Sequence, residues 1–223
     1  MGGKRVILLV SWLVFLCPPR LSCQDNQIYR FHDLHPLLLN PAVTGSEFLP
    51  VASLSYRKQW AGFPGSPTTM LASGTFRIGE FDFYNPQKMV NTSNLRSRER
   101  IGLGIALHSD INGPAIRRGF NLAYAYHLPL STGSLSLGIG GSGEQRVLDG
   151  TRFRPATPDD PLIDPVRERM MLWNLHLGGY YYSAGLFGGI AAHHLIPLEN
   201  PVQNAERIRP DLVLHGGYLF RSL

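Results

Sequence analysis

Cysteine is almost absent from this chain, with two in 223 residues, Cys17 and Cys23. Both fall within residues 1–23, so an exported mature chain would have no disulfide and must be held by its fold alone. Charge is scarce as well. Asp, Glu, Lys and Arg make up 17% of the residues, against about 25% in an ordinary soluble domain. No cluster of Lys and Arg forms a nucleic-acid footprint. No stretch has a convincing helical period, and no apolar run reaches the roughly 20 residues of a spanning helix. These absences argue against a disulfide scaffold, a nucleic-acid binder and a helical membrane protein.

What is present begins with an export signal. "MGGKRVILLVSWLVFLCPPRLSCQ" carries Lys4 and Arg5, an apolar run from Val6 to Cys17 and then a polar break, the layout of a secretory signal peptide. Cleavage is expected after Cys23. Lipidation of Cys23 is the alternative, disfavoured by Arg20 where a lipobox wants an apolar residue. Removing residues 1–23 takes away three basic residues and no acid, leaving 18 bases against 16 acids and a net charge of +2. The basic isoelectric point is therefore partly a property of the signal.

Two-residue alternation dominates the rest. In "RIGLGIALHSD", Ile101, Leu103, Ile105 and Leu107 share one face, and Gly102, Gly104, Ala106 and His108 share the other. "GFNLAYAYHL", "GSLSLGIGGSG", "RMMLWNLHLGGYYY" and "PDLVLHGGYLF" repeat the pattern. Eight strands are predicted, at about 50–60, 69–78, 100–110, 119–129, 133–146, 169–183, 184–195 and 210–220. Most have 10 or more residues, where globular strands average nearer 5–6 and tilted membrane strands need about 9–11. One face is apolar with aromatics, and the other is Gly, Ala, Ser, Asn and His. That is the pattern of a transmembrane antiparallel β-barrel of the outer-membrane type. A soluble β-sandwich or jelly roll is the rival, with shorter strands and fewer interior glycines expected of it. "PLST" at 129–132 and "SA" at 183–184 read as tight turns, and 79–99 and 147–168 as long polar loops. Short turns on one side and long loops on the other would suit such a barrel.

Candidate chemistry is thin. "GIGGSGE", with Gly138, Gly140, Gly141 and Gly143, superficially fits a dinucleotide fingerprint but sits within a strand with no helix after it. Close packing inside a barrel is the better reading. His193 and His194 are neighbours on a strand, so they should point to opposite faces and not chelate one ion. His32 and His35 read as structural. "TPDDPLIDP" holds Asp159, Asp160 and Asp164 without the spacing of an EF-hand. No catalytic residues, metal site or cofactor are expected.

The start of the mature chain is more specific. "QDNQIYRFHDLHPLLLNPAVTGSEFLPVASLSYRKQWAGFPGSPTTM" holds Leu37, Leu38, Leu39, Asn40, Pro41, Ala42 and Gly45, then Tyr56, Arg57, Gln59, Trp60, Gly62 and Pro67. Asn-Pro followed by Gly makes a turn that launches a strand. Tyr56, Lys58 and Trp60 would share one face of it. Arg57 and Gln59 would share the other, projecting inward to tie down the N-terminal segment. This combination resembles the opening of the PorP/SprF family of type IX secretion system membrane proteins. "RIGLGIALHSDINGP" and "WNLHLGGYYYSAGLFGGIAAHHLIP" are similar to later family elements, and the likeness runs over nearly all of the mature chain.

The resemblance implies an outer-membrane location and a non-enzymatic accessory role in secreting or retaining surface proteins, including gliding or adhesin-type cargo. Implied partners are outer-membrane lipid, components of the secretion machinery and a secreted surface protein with a C-terminal sorting domain. No nucleic acid is implied. It also implies a longer chain, so a short or C-terminally truncated copy is expected, with barrel closure in question. The expected organisation is a signal peptide at 1–23, an N-terminal segment at 24–49 that is periplasmic or plugs the barrel, and a barrel domain at 50–223. A small passive pore and a secreted soluble β-sandwich binding module are the alternative functions.

Overall fold

A computed structural model of the chain describes residues 34–47, 49–78, 100–150, 167–196 and 210–218. The expected signal peptide, His32, Asp159, Asp160, Asp164 and most of the two long loops lie outside the described residues. Eight strands follow in order: β1 (Val51–Lys58), β2 (Thr68–Arg77), β3 (Ile101–Asn112), β4 (Ala115–Pro129), β5 (Ser134–Asp149), β6 (Arg167–Tyr182), β7 (Leu186–His193) and β8 (Asp211–Tyr218). All are antiparallel, and each pairs with the next in sequence. The described residues thus form one curled sheet, not the two stacked sheets of a sandwich. Among them β1 and β8 do not pair with each other, so the structure is an open, incomplete barrel.

The polarity of this sheet is inverted relative to a water-soluble protein. Leu54, Leu122, Leu137, Trp173 and Leu214 lie on the outer face with 51–81% of their surface exposed. On β3, Gly104, Ala106 and His108 are buried while Ile105 and Leu107 are exposed. Soluble proteins hide their large apolar side chains and expose their polar ones. Here period-two alternation puts the large apolar residues outside and Gly, Ala, Ser, His and Asn inside. That arrangement suits hydrocarbon as the outer solvent.

Glycine weakens a strand unless something uses the missing side chain. Gly143 shows one use on the outer face. It pairs with Phe120 on β4 and Trp173 on β6, whose rings meet edge to face at 5.9 Å. A Cβ at 143 would lie 2.9 Å from each ring. The two rings therefore close over the glycine and restore apolar cover there.

Loop placement departs from the sequence expectation. Three strands, β3, β4 and β5, separate the two long connections. An odd number of antiparallel strands puts their flanking loops at opposite ends of the sheet. The 79–99 connection leaves from the end where β1 begins, together with the tight turns at 130–133 and 183–185. The 150–166 and 194–210 connections leave from the other end, with the 113–114 turn. Long and short connections are thus not sorted by side.

Candidate functional site

The segment 34–47, just ahead of β1, makes two short 3-10 turns, Pro36–Leu38 and Pro41–Val43. A proline near the start of each fixes φ where no backbone donor is needed. Asn40 caps the second turn, its Oδ1 accepting from the Ala42 N–H at 2.9 Å. Gly45 leaves the turn with φ of +73°, a conformation that favours glycine.

This segment reaches every strand of the sheet, which curls around it. His35 is hydrogen-bonded to Ser55 on β1 at 2.8 Å and to Ser73 on β2 at 2.6 Å. Arg77, also on β2, donates through Nε to the Gly45 carbonyl at 2.8 Å. On β4, His127 donates through Nε2 to the Thr44 carbonyl at 2.9 Å. On β7, His193 donates through Nε2 to the Leu39 carbonyl at 2.8 Å. Asn40 donates through Nδ2 to the Gly179 carbonyl on β6 at 3.0 Å and to Nε2 of His215 on β8, also at 3.0 Å.

Glycines complete the seat on β3, β5 and β6. A Cβ at Gly102 would overlap the Thr44 carbonyl, one at Gly138 would overlap the Ala42 backbone, and one at Gly178 would overlap the Asn40 amide oxygen. At Gly104 a Cβ would come within 2.8 Å of the Thr44 side chain. His35, Asn40, Ala42 and Thr44 are fully buried as a result. Burial of the His35 ring lowers its pKa below the ordinary value and keeps it neutral.

The carbonyl contacts fix tautomers. His193 uses Nε2 as donor, so its Nδ1 is the acceptor facing Nδ1 of His176 at 3.1 Å. His176 then donates, and its Nε2 accepts from Ser142 at 2.9 Å. His127 likewise uses Nε2 as donor, so its Nδ1 accepts from the Tyr182 hydroxyl at 3.2 Å. That hydroxyl in turn accepts from Arg77 Nη2 at 2.7 Å. A directed chain runs from Arg77 through Tyr182 and His127 to the segment.

The residues singled out in the sequence divide into two groups. Asn40, Pro41 and Gly45 lie in the seat. Tyr56 is on the outer face of β1, and Trp60 and Gly62 lie in the β1–β2 hairpin turn. β1 ends at Lys58, and Trp60 has φ of +51°, so it leaves the alternation that was expected to carry it. Arg57 and Gln59 face each other. With its amide oxygen turned to the guanidinium, Gln59 accepts from Arg57 Nε at 2.9 Å. Among the described residues the tie to Gly45 is made by Arg77, because the register places Arg57 opposite Thr69 at the hairpin end of β2 and Arg77 at the far end.

His193 and His194 also differ from expectation. His194 has φ of +56° just after β7 ends, which breaks the alternation of faces. Its ring comes to 6.0 Å from that of His176, while His193 lies 4.9 Å from the same ring. Even so, no group of three or more His, Cys, Asp or Glu side chains placed to hold a metal ion occurs among the described residues.

Sequence reading missed Arg77, His127, Tyr182 and His215 as seat residues. A signal for the histidines was available, since His127, His193 and His215 each stand on the small-residue face of a strand. A family model described as type IX secretion system membrane protein PorP/SprF matches residues 21–222. Searches of curated proteins and of solved structures returned no match.

Proposed function

The chain belongs to the PorP/SprF family of type IX secretion system membrane proteins, and from that premise we propose that it is a non-enzymatic accessory of the system in the outer membrane. In this reading its loops and rim help secrete or retain a surface protein that carries a C-terminal sorting domain, of the gliding or adhesin type. It engages outer-membrane lipid through the apolar outer face and other secretion components through its ends.

The observation that carries the reading is the family match over nearly the whole chain. The seat adds support for an accessory over a passive pore. Residues 34–47 occupy the inner face and reach all eight strands, which is the arrangement of a plug and not of an open conduit. The apolar outer face supports lipid exposure over a soluble binding module.

Deletion of the gene tests it. The expected result is failure of a surface protein with the sorting domain to be exported or anchored, restored by the full chain. Normal export and anchoring of all such proteins would overturn the reading. Planar-bilayer recording separates the pore alternative, because a plugged accessory should be nearly silent.

A further inference from the structure

We propose that the N-terminal segment is held by a proton-sensitive latch, seated while His127 and His215 are neutral and released when they take up protons. The inference shares with the preceding reading only the seated segment, and it concerns when that segment leaves.

The latch follows from which ring nitrogens must accept. His215 receives a hydrogen bond at Nε2 from the Asn40 amide. A proton on that nitrogen would set N–H against N–H. Turning the Asn40 amide over does not relieve this. Its Oδ1 is committed to the Ala42 N–H and its Nδ2 to the Gly179 and Ile190 carbonyls. His127 receives a hydrogen bond at Nδ1 from Tyr182, whose oxygen already accepts from Arg77. A proton on His127 would put two buried cations on one phenol oxygen. Burial without a compensating partner strongly disfavours that.

The His176–His193 pair behaves differently. One added proton is absorbed by tautomer exchange, with His193 donating through Nδ1 to His176, and His176 donating through Nε2 to Ser142. This pair therefore retains its contact to Leu39 and is not the trigger. The groups acting on it are His194 and Asp211, which oppose one another in sign. Around the trigger histidines, Arg77 and Tyr182 face His127, and Tyr180 stacks on His215 at 5.5 Å. Glu47, on the segment itself, acts on Tyr180. Arg77 opposes protonation of His127.

The sign is as follows. Each trigger histidine is neutral when the segment is seated and titrates near about 6.5 once released. The seated state binds fewer protons, so it is favoured above that value and weakened as pH falls below it. The limit is about tenfold per pH unit for each histidine.

The test uses full-length protein in detergent with Cys17→Ser, Cys23→Ser and Thr44→Cys. Thr44 is fully buried and its Oγ1 makes no hydrogen bond, so the exchange leaves the seat's hydrogen bonds in place. Maleimide labelling at position 44 is divided by that of a separate Ser131→Cys protein, exposed in a turn, to remove the pH dependence of the thiol. The ratio should rise at least about tenfold between about pH 7.5 and 5.5. Adding His127→Gln with His215→Gln should flatten it, and adding His108→Gln should not. A ratio that stays constant in the parent overturns the latch whether or not the double variant folds. A rise that survives the double variant, or vanishes with His108→Gln, overturns it too. Bilayer conductance run in parallel separates the readings. Release without added conductance keeps the latch and removes the plug.

Discussion

Asn40 donates to Nε2 of His215 at 3.0 Å across 175 positions of sequence. The contact ties a residue ahead of β1 to β8. Asn40 also holds the Ala42 N–H and two strand carbonyls. Asn40→Ala would leave these partners unpaired in a buried site, each costing about 1–3 kcal/mol. We expect destabilisation of about 2–4 kcal/mol, read as a lower temperature for loss of heat-modifiable gel mobility. An unchanged transition would show that the amide contributes nothing to the assembled state.

Gly178 has no room for a side chain beside Asn40, nor Gly138 beside Ala42. Gly178→Ala and Gly138→Ala should displace the segment while leaving the strand ladder paired. The readout is protease cleavage within 34–47, increased in both variants. Gly141→Ala is the control, since a Cβ there would meet only the Asn174 carbonyl at 4.0 Å. Equal protection in all three proteins would refute the seat.

His35 supplies a pH dependence independent of the latch histidines. Burial lowers its pKa in the folded protein. The unfolded state then binds more protons below about 6.5, so the contribution is complete above that pH and declines as pH falls toward the folded value. The thermal midpoint should therefore drop on acidification, and less so in His35→Gln. A variant with the same slope as the parent would remove His35 from the account.

Leu137 stands mid-strand on β5 with 54% of its surface exposed on the outer face. If that face meets lipid, Leu137→Arg should cost about 2–4 kcal/mol near the bilayer midplane and deplete the protein from the membrane fraction. On a face in water the same change would be nearly silent. Unchanged membrane recovery would therefore argue against lipid at this position.

Strand positions were legible because alternation is local. Ile105 against Ala106, or Leu137 against Gly138, tells inside from outside without any knowledge of partners. The seat was less legible because its partners lie far apart in sequence. Asn40 and Pro41 could be read as a turn, but not as a turn resting on Gly178 and Gly138. Gly138 could be read as close packing, though not what it packs against. Arg57 was a reasonable candidate to hold the segment. Only the register shows that it lies at the hairpin end of β1 and that Arg77 is the arginine beside Gly45. His194 escaped the alternation rule because one left-handed residue is enough to cancel it.

A segment that touches all eight strands also constrains the order of assembly. Residues 34–47 are synthesised before any strand, yet Asn40 cannot find His215 until β8 exists. Neighbouring strands can zip early, because each pairs with the next in sequence. Closing the span from 40 to 215 comes after them and carries the largest loop-closure entropy. The segment thus acts as a mandrel: it waits unbound while the hairpins form, then fixes the curvature of the sheet as they wrap it. Mutations in the seat should accordingly speed unfolding more than they slow the formation of hairpins.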